Sequence, residues 1–339
     1  MAAKSLGAGA YIRRALAAAS PCLIPLLFLF AVAGSVKPEE NSPSERMQEN
    51  TYTIRINADM VVLHATVRNR KGTPVSGLNK GNFQVYEDGV RQQITYFMHK
   101  DIPVTVGLVV DNSGSMAPKR PEVIAAATAF ARSSNSQDQM FVVGFNEHVW
   151  FGLPDSVLFT DQPAQLEAAL SRIDANGETA LYDAVAVAIE RLKKGNRDKK
   201  VLIVISDGAD NASKHNLAEV MAMAQRSDAV IYTVGIYDED DPDHNPGALK
   251  RLAKASGGEY FTAESLRDVV PICERIAQDI RSQYTIAYVP ANRKQDGSYR
   301  AIQVKAEAPG RGRLFVRTRA GYYAPVQSQI IAGSQSGQP

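Results

Sequence analysis

Residues 103–116 read PVTVGLVVDNSGSM. No other stretch limits the possible folds so strongly. Val104, Val106, Leu108, Val109 and Val110 form an apolar run rich in β-branched residues, and Asp111, Ser113 and Ser115 follow at every second position. A continuous apolar run of this length reads as a strand buried on both faces, in a parallel sheet. Open α/β sheets bind ligands in the crevice outside the carboxyl ends of their strands. The short polar residues after Val110 therefore predict a site at that rim.

Strands and helices alternate from Ile102 to Ser282. Strands are expected at 104–110, 140–145, 149–153, 200–205, 229–236 and 260–261, and helices at 121–132, 162–173, 180–192, 217–226, 247–255 and 265–281. This alternation means a parallel sheet with helices on both faces. Before it, Ile54, Ile56, Val61, Leu63, Ala65 and Val67 carry a period of two, and Glu87-Asp88-Gly89 is a hairpin signal between Phe83–Tyr86 and Ile94–Phe97. After it, strands are expected at 284–289, 299–306 and 314–319, the last ending at Gly321-Tyr322-Tyr323. Neither flank has enough strands to bury two faces alone. The expected fold is therefore α/β: a doubly wound, mostly parallel sheet (101–282) inserted into a small β-sandwich built from segments 51–100 and 283–325. Two separate flaps on the α/β domain are the alternative. Residues 34–50 read as a linker, and 326–339 as a disordered, low-complexity tail.

Lys4, Arg13 and Arg14 precede an apolar run from Ala15 to Gly34 that contains Ala31-Val32-Ala33. This reads as a secretory signal peptide, residues 1–33, and an exported protein, periplasmic or secreted. An uncleaved membrane anchor is the alternative. Without residues 1–33, 35 basic residues face 36 acidic ones, a net of −1 against +2 for the whole chain. No electrostatic case for a nucleic-acid partner remains. Cys273 is then the single cysteine, so no intrachain disulfide can form, and an exported chain without disulfides leans bacterial.

Alternate residues of an extended loop can point the same way. Asp111, Ser113 and Ser115 can therefore aim one carboxylate and two hydroxyls at one point. Asp207 ends a second buried strand in Ser206-Asp207-Gly208, and Thr179 opens a helix in the segment GETALYDA. Five oxygen donors, only two of them charged, suit a hard divalent cation with a position left open. Mg²⁺ is the expected metal, with Ca²⁺ or Mn²⁺ as alternatives.

These segments, DNSGS at 111–115, GETALYDA at 177–184 and SDGADN at 206–211, resemble the von Willebrand factor type A domain and its metal-ion-dependent adhesion site. The resemblance implies that Asp111, Ser113, Ser115, Thr179 and Asp207 hold the metal, and that a carboxylate of a protein partner fills its open position. The flanks FQVYEDG, YTIAYVP and RAGYY are similar to exported bacterial proteins of the "VWFA-related domain" type, which implies architecture more than function.

Other features have plainer readings beside them. Asp210 reads either as a water-mediated metal contact or as a turn residue, and Glu178 as a rim charge or a solvated one. The loop DEDDPDHN at 238–245 does not match an EF-hand and reads as solvated. Asn211-Ala212-Ser213 fits a glycosylation acceptor only in a eukaryotic pathway. Trp150 and Phe151 read as packed edge residues. The leading function is a non-enzymatic, metal-dependent binding or adhesion module outside the cytoplasm. A Mg²⁺-dependent phosphatase would need a second carboxylate where Ser113 stands. In a third reading the sandwich does the binding and the α/β domain is a scaffold.

Overall fold

Strands Val104–Asp111 and Ala229–Ile236 are buried at every residue and lie in the central sheet, while Phe83–Glu87 is buried at alternate residues and lies in a flanking sheet. The computed structural model describes residues 60–172, 175–237 and 244–326, and all of them fall in one compact unit. The signal-peptide and linker readings, the tail reading beyond Val326, strand residues Ile54 and Ile56, and most of the acidic loop at 238–245 lie outside the described residues; Val326 itself bridges to Asp296.

In chain order the first flank holds β1 (Val61–Arg68), β2 (Phe83–Glu87), β3 (Val90–Gln92) and β4 (Ile94–Met98). The alternating part opens with β5 (Val104–Asp111), α1 (Arg120–Arg132), β6 (Gln139–Phe145), β7 (Val149–Phe151), α2 (Pro163–Ser171) and α3 (Leu181–Leu192). It continues with β8 (Lys199–Ser206), α4 (Leu217–Arg226), β9 (Ala229–Ile236), α5 (Pro246–Ser256), β10 (Tyr260–Ala263) and α6 (Val269–Arg281). The second flank holds β11 (Tyr284–Tyr288), β12 (Tyr299–Ala306), β13 (Phe315–Arg317) and β14 (Gly321–Tyr323).

The central sheet runs β10-β9-β8-β5-β6-β7. Its strands are parallel except β7, which is antiparallel to β6. Every residue of β5 and β9 is buried. Helix α1 packs on both α2 and α6, and α4 packs on both α3 and α5 as a second group. Burial of both faces of β5 requires one group on each side. Each fully buried Val, Ile or Leu contributes roughly 1.5–3 kcal/mol, so this core is the rigid base beneath the strand ends.

The helix starts follow local chemistry. Pro121 lies in the first turn of α1, and Asn216 and Glu219 form a capping box at α4. Gly257 ends α5 at φ +81°, and a Cβ there would strike the backbone of Arg319, so only glycine lets the helix end meet the flanking sheets.

The flanks form two four-stranded sheets, β13-β1-β11-β4 and β14-β12-β2-β3. Leu63, Phe83, Val85, Tyr284, Ile286 and Ile302 from both sheets share one core. Met98 of β4 pairs with Thr285 of β11. The two ends of the α/β insertion therefore leave from neighbouring strands of one sheet. One expectation is corrected: the segment read as a single strand running into Gly321-Tyr322-Tyr323 is two strands. β13 pairs with β1, and β14 pairs with β12 in the other sheet. A period of two continues through such a crossing, so the pattern alone cannot reveal it. The last helix is also shorter than expected, because a 3-10 turn at Leu266–Asp268 precedes α6.

The flanking motifs meet in this sandwich. Tyr288 and Tyr322 both donate to Glu87 Oε2, at 2.8 and 3.0 Å. Arg300, almost fully buried, lies 3.7 Å from Glu87 Oε1 and donates to the backbone carbonyls of Asn292 and Lys294. A buried polar network of this kind fixes one geometry when its members are satisfied.

Candidate metal centre

Parallel pairing aligns the ends of β5 and β8, with Val110 opposite Ile205. Asp111 and Ser206 therefore emerge side by side. Asp111 Oδ2 accepts from Ser206 Oγ at 2.6 Å, and Oδ1 accepts from the Ser113 backbone N–H at 2.9 Å. Ser115 Oγ donates to Asp207 Oδ2 at 2.6 Å and lies 3.2 Å from Ser113 Oγ. Four of the five residues singled out in the sequence are thus linked in one chain of contacts, through the Ser113 backbone N–H and the Ser113, Ser115 and Asp207 side chains. Asp111 is 3% exposed and Asp207 0%.

Thr179 is buried and joins this group through the backbone. The Gly114 N–H donates to Gly177 O at 3.1 Å, tying the Ser113–Ser115 turn to the Thr179 loop. The Thr179 N–H donates to Asn211 Oδ1 at 2.8 Å, while the N–H groups of Asn211 and Ala212 donate back to Thr179 O. Gly177 has φ +79°, and the Glu147 carboxylate fills the space a Cβ would need. Among the described residues Thr179 makes no side-chain hydrogen bond to the other four.

Charge is unbalanced at this rim. Burial, then the neighbouring Asp207, pushes Asp111 up to about 7, against the hydrogen bonds from Ser113 and Ser206. Two buried carboxylates share the rim, and every hydrogen bond to them comes from a hydroxyl or a backbone N–H. Uncompensated buried charge is costly, and a bound cation would relieve it. The donors are all oxygens, two carboxylates and three hydroxyls if Thr179 turns in, which fits a hard divalent ion. Among the described residues there is no cluster of three or more His, Cys, Asp and Glu, so hydroxyls must complete any such site.

Other candidates fall elsewhere. Asp210 Oδ2 accepts from the Tyr182 N–H at 2.8 Å and from Ser213 Oγ at 2.7 Å, so it caps the start of α3 from a neighbouring loop. Asp183 accepts in return from the N–H groups of Lys214 and His215. Glu178 is exposed, and its N–H donates to Glu147 Oε2 at 3.2 Å. The Trp150 indole lies against Gly144, and Arg191 sits 3.6 Å over the Phe151 ring, as edge packing requires. Sequence reasoning missed Ser206, Asn211 and Glu147. The Ser206 role was accessible, since it directly precedes Asp207 at the end of a strand beside β5. Those of Asn211 and Glu147 depend on loop contacts no spacing rule encodes.

Comparison with known proteins bears on the α/β part of the chain. The profile of the von Willebrand factor type A domain matches residues 105–275, half of the chain. A curated uncharacterized protein of Synechocystis sp. is 22% identical over 167 residues, 48% of this chain, and the chain covers only 38% of that relative's length. Similar solved structures include a von Willebrand factor type A protein from Catenulispora acidiphila, at 16% identity and TM-score 0.48, covering 73% of this chain and 74% of that one. Another is the vWF domain of the type V pili tip protein Mfa5 from Porphyromonas gingivalis, at 15% identity and TM-score 0.45, covering 53% and 95%. The matched residues run from β5 into α6 and include all five rim residues, and on that match the chain belongs to the von Willebrand factor type A domain family.

Proposed function

We propose that this protein is a metal-dependent protein-binding module of the adhesion type, acting outside the cytoplasm. Asp111, Ser113, Ser115, Thr179 and Asp207 would hold a divalent cation, Mg²⁺ first and Ca²⁺ or Mn²⁺ next. One observation carries the reading: two buried carboxylates meet among hydroxyls, and no cationic side chain of the described residues bonds to either. A cation with two anionic ligands and neutral hydroxyls keeps electrophilic character, so it attracts a carboxylate from a partner. The chain's own part is to hold the donors in place. Ser206 orients Asp111, Asn211 clamps the Thr179 backbone, and the Gly114–Gly177 hydrogen bond sets the distance between their loops.

The family match and the lack of a carboxylate at position 113 support a binding module over a phosphatase. Export rests on the N-terminal sequence alone. Among the described residues no helix is long and apolar enough to cross a membrane.

Calorimetric titration with Mg²⁺ and Mn²⁺, wild type against Asp111→Ala, tests the reading. A pull-down from the cell envelope with and without EDTA then tests the partner. Metal binding lost in the variant, with a partner released by EDTA, is the expected result. Wild-type protein that binds neither ion would remove the proposal.

A further inference from the structure

Opposite the metal rim, near the start of β9, lies a groove of about 450 Å³ between the end of α4 and the flanking sheets. It is within the size range of ligand sites. Four of its five charged lining side chains are cations: Arg226, Arg293, Lys294 and Arg319. The fifth, Asp228, pairs with Arg319 at 3.3 Å. Arg226, Arg293 and Lys294 are exposed, and no carboxylate of the described residues forms an ion pair with them. This excess of cations stands in a chain whose overall charge is close to zero.

The groove is rigidly built. Arg300, buried beneath it, holds the carbonyls of Asn292 and Lys294, which fixes the loop carrying Arg293 and Lys294. Tyr322 is held from the other side by its hydrogen bond to Glu87. A site whose supports are locked loses little entropy on binding.

From this we infer that the groove binds an extended acidic segment of a partner protein through Asp and Glu carboxylates. Arginine matches the planar carboxylate with two donors, and clusters of it read acidic motifs. The tyrosines do not offer themselves as sugar platforms. Arg226 lies 5.1 Å over the Tyr323 ring, Tyr299 packs against the same ring edge-on, and Arg319 lies 5.6 Å over the Tyr322 ring. A peptide has a further handle in β14, the outermost strand of its sheet, which lacks a strand partner on one side among the described residues. This inference does not depend on the metal site.

The probe is fluorescein-labelled hexaglutamate, followed by anisotropy on the full chain in EDTA, where any carboxylate binding through a metal is silent. Hexaglutamine and oligogalacturonate serve as the other arms. Saturable hexaglutamate binding is expected to survive EDTA and Asp111→Ala. It should weaken at least tenfold in Arg293→Glu combined with Lys294→Glu, both exposed positions that leave the fold intact. Asp228→Asn should tighten it several-fold by freeing Arg319. Higher salt should weaken it. The inference is overturned if hexaglutamate fails to bind in EDTA, if the double charge reversal binds as wild type does, or if oligogalacturonate binds more tightly than hexaglutamate.

Discussion

The two ends of the central sheet treat buried charge in opposite ways. At the carboxyl ends of the strands, Asp111 and Asp207 are buried, and among the described residues hydroxyls and backbone N–H groups are their only hydrogen-bond donors. At the amino ends Asp138 is likewise held by backbone N–H groups, those of Val104 and Asn135, but where the flanking sheets meet the α/β layer the buried Asp279 and the half-buried Glu259 have guanidinium partners. Asp279, 0% exposed, pairs with Arg68 and lies 3.5 Å from Arg317. Glu259 takes Arg68 at 2.8 Å and also pairs with Arg317. Gln283 and Tyr232 complete the contact with a hydrogen bond of 3.1 Å. Both ends bury acids, but among the described residues only the joint pairs them with cations; at the rim Lys119 and Arg120 donate to Ile236 O and Asn112 Oδ1 instead. A compensated cluster is a joint between layers, and an uncompensated one fits the cation proposed for the rim.

The joint is where breaking this contrast costs most. Asp279→Ala leaves Arg68 and Arg317, both partly buried, to share Glu259, and removal of one member of a buried pair costs up to about 3–5 kcal/mol. Urea unfolding should show a loss of that order. A loss under about 1 kcal/mol would mean the joint is solvated like a surface ion pair.

The rim should respond in the other direction. In EDTA, Asp111→Asn removes one of two like charges, so the metal-free protein should be as stable as wild type or more so, by on the order of 1 kcal/mol. In Mg²⁺ the order reverses, because only wild type gains stability from the ion. A variant destabilised equally with and without Mg²⁺ would make Asp111 a structural residue and end the contrast.

The pH dependence of the two ends also differs in sign. Asp111 is raised from 3.8 to about 7. Between about pH 4 and 7 the folded chain keeps a proton that the unfolded chain has released, so metal-free stability falls as pH rises through that window. Lys199 at the opposite end, buried and donating to Ile280 O, is lowered from 10.5 to about 7, chiefly by burial and against the pull of Asp101 and Asp138. Between about pH 7 and 10.5 the unfolded chain holds the extra proton, so stability rises. Unfolding in EDTA across pH 4–10 should show a fall and then a rise. Asp111→Asn should flatten the first limb and Lys199→Met the second.

Much of the rim was legible because its signals are local. A buried run ending in Asp111, Ser113 and Ser115 fixes strand, face and donors together, and Asp207 repeats the pattern at the end of β8. The joint was not legible. Arg68 and Asp279 are 211 residues apart, and neither lies in a pattern that names its partner. The flanks were intermediate. Their strands were read, yet the crossing between Arg317 and Gly321 and the meeting of Glu87 with Tyr288 and Tyr322 depend on sheet pairing that hydrophobic period cannot supply.

The smallest expected effect lies between local and long-range signals, at Asn211. Its side chain accepts one hydrogen bond from the Thr179 N–H, in a loop also fixed by Asn146 O and by the Gly114–Gly177 bond. Asn211→Ala removes only that acceptor, which is worth about 1 kcal/mol. If Thr179 donates to the cation, the cost should fall on metal affinity, a weakening of about fivefold, with little change in metal-free stability. If Thr179 only packs, the cost should fall on stability, and Mg²⁺ affinity should stay as in wild type. Calorimetry and unfolding on one variant therefore decide whether the rim extends to Thr179 or stops at the four residues already linked to one another.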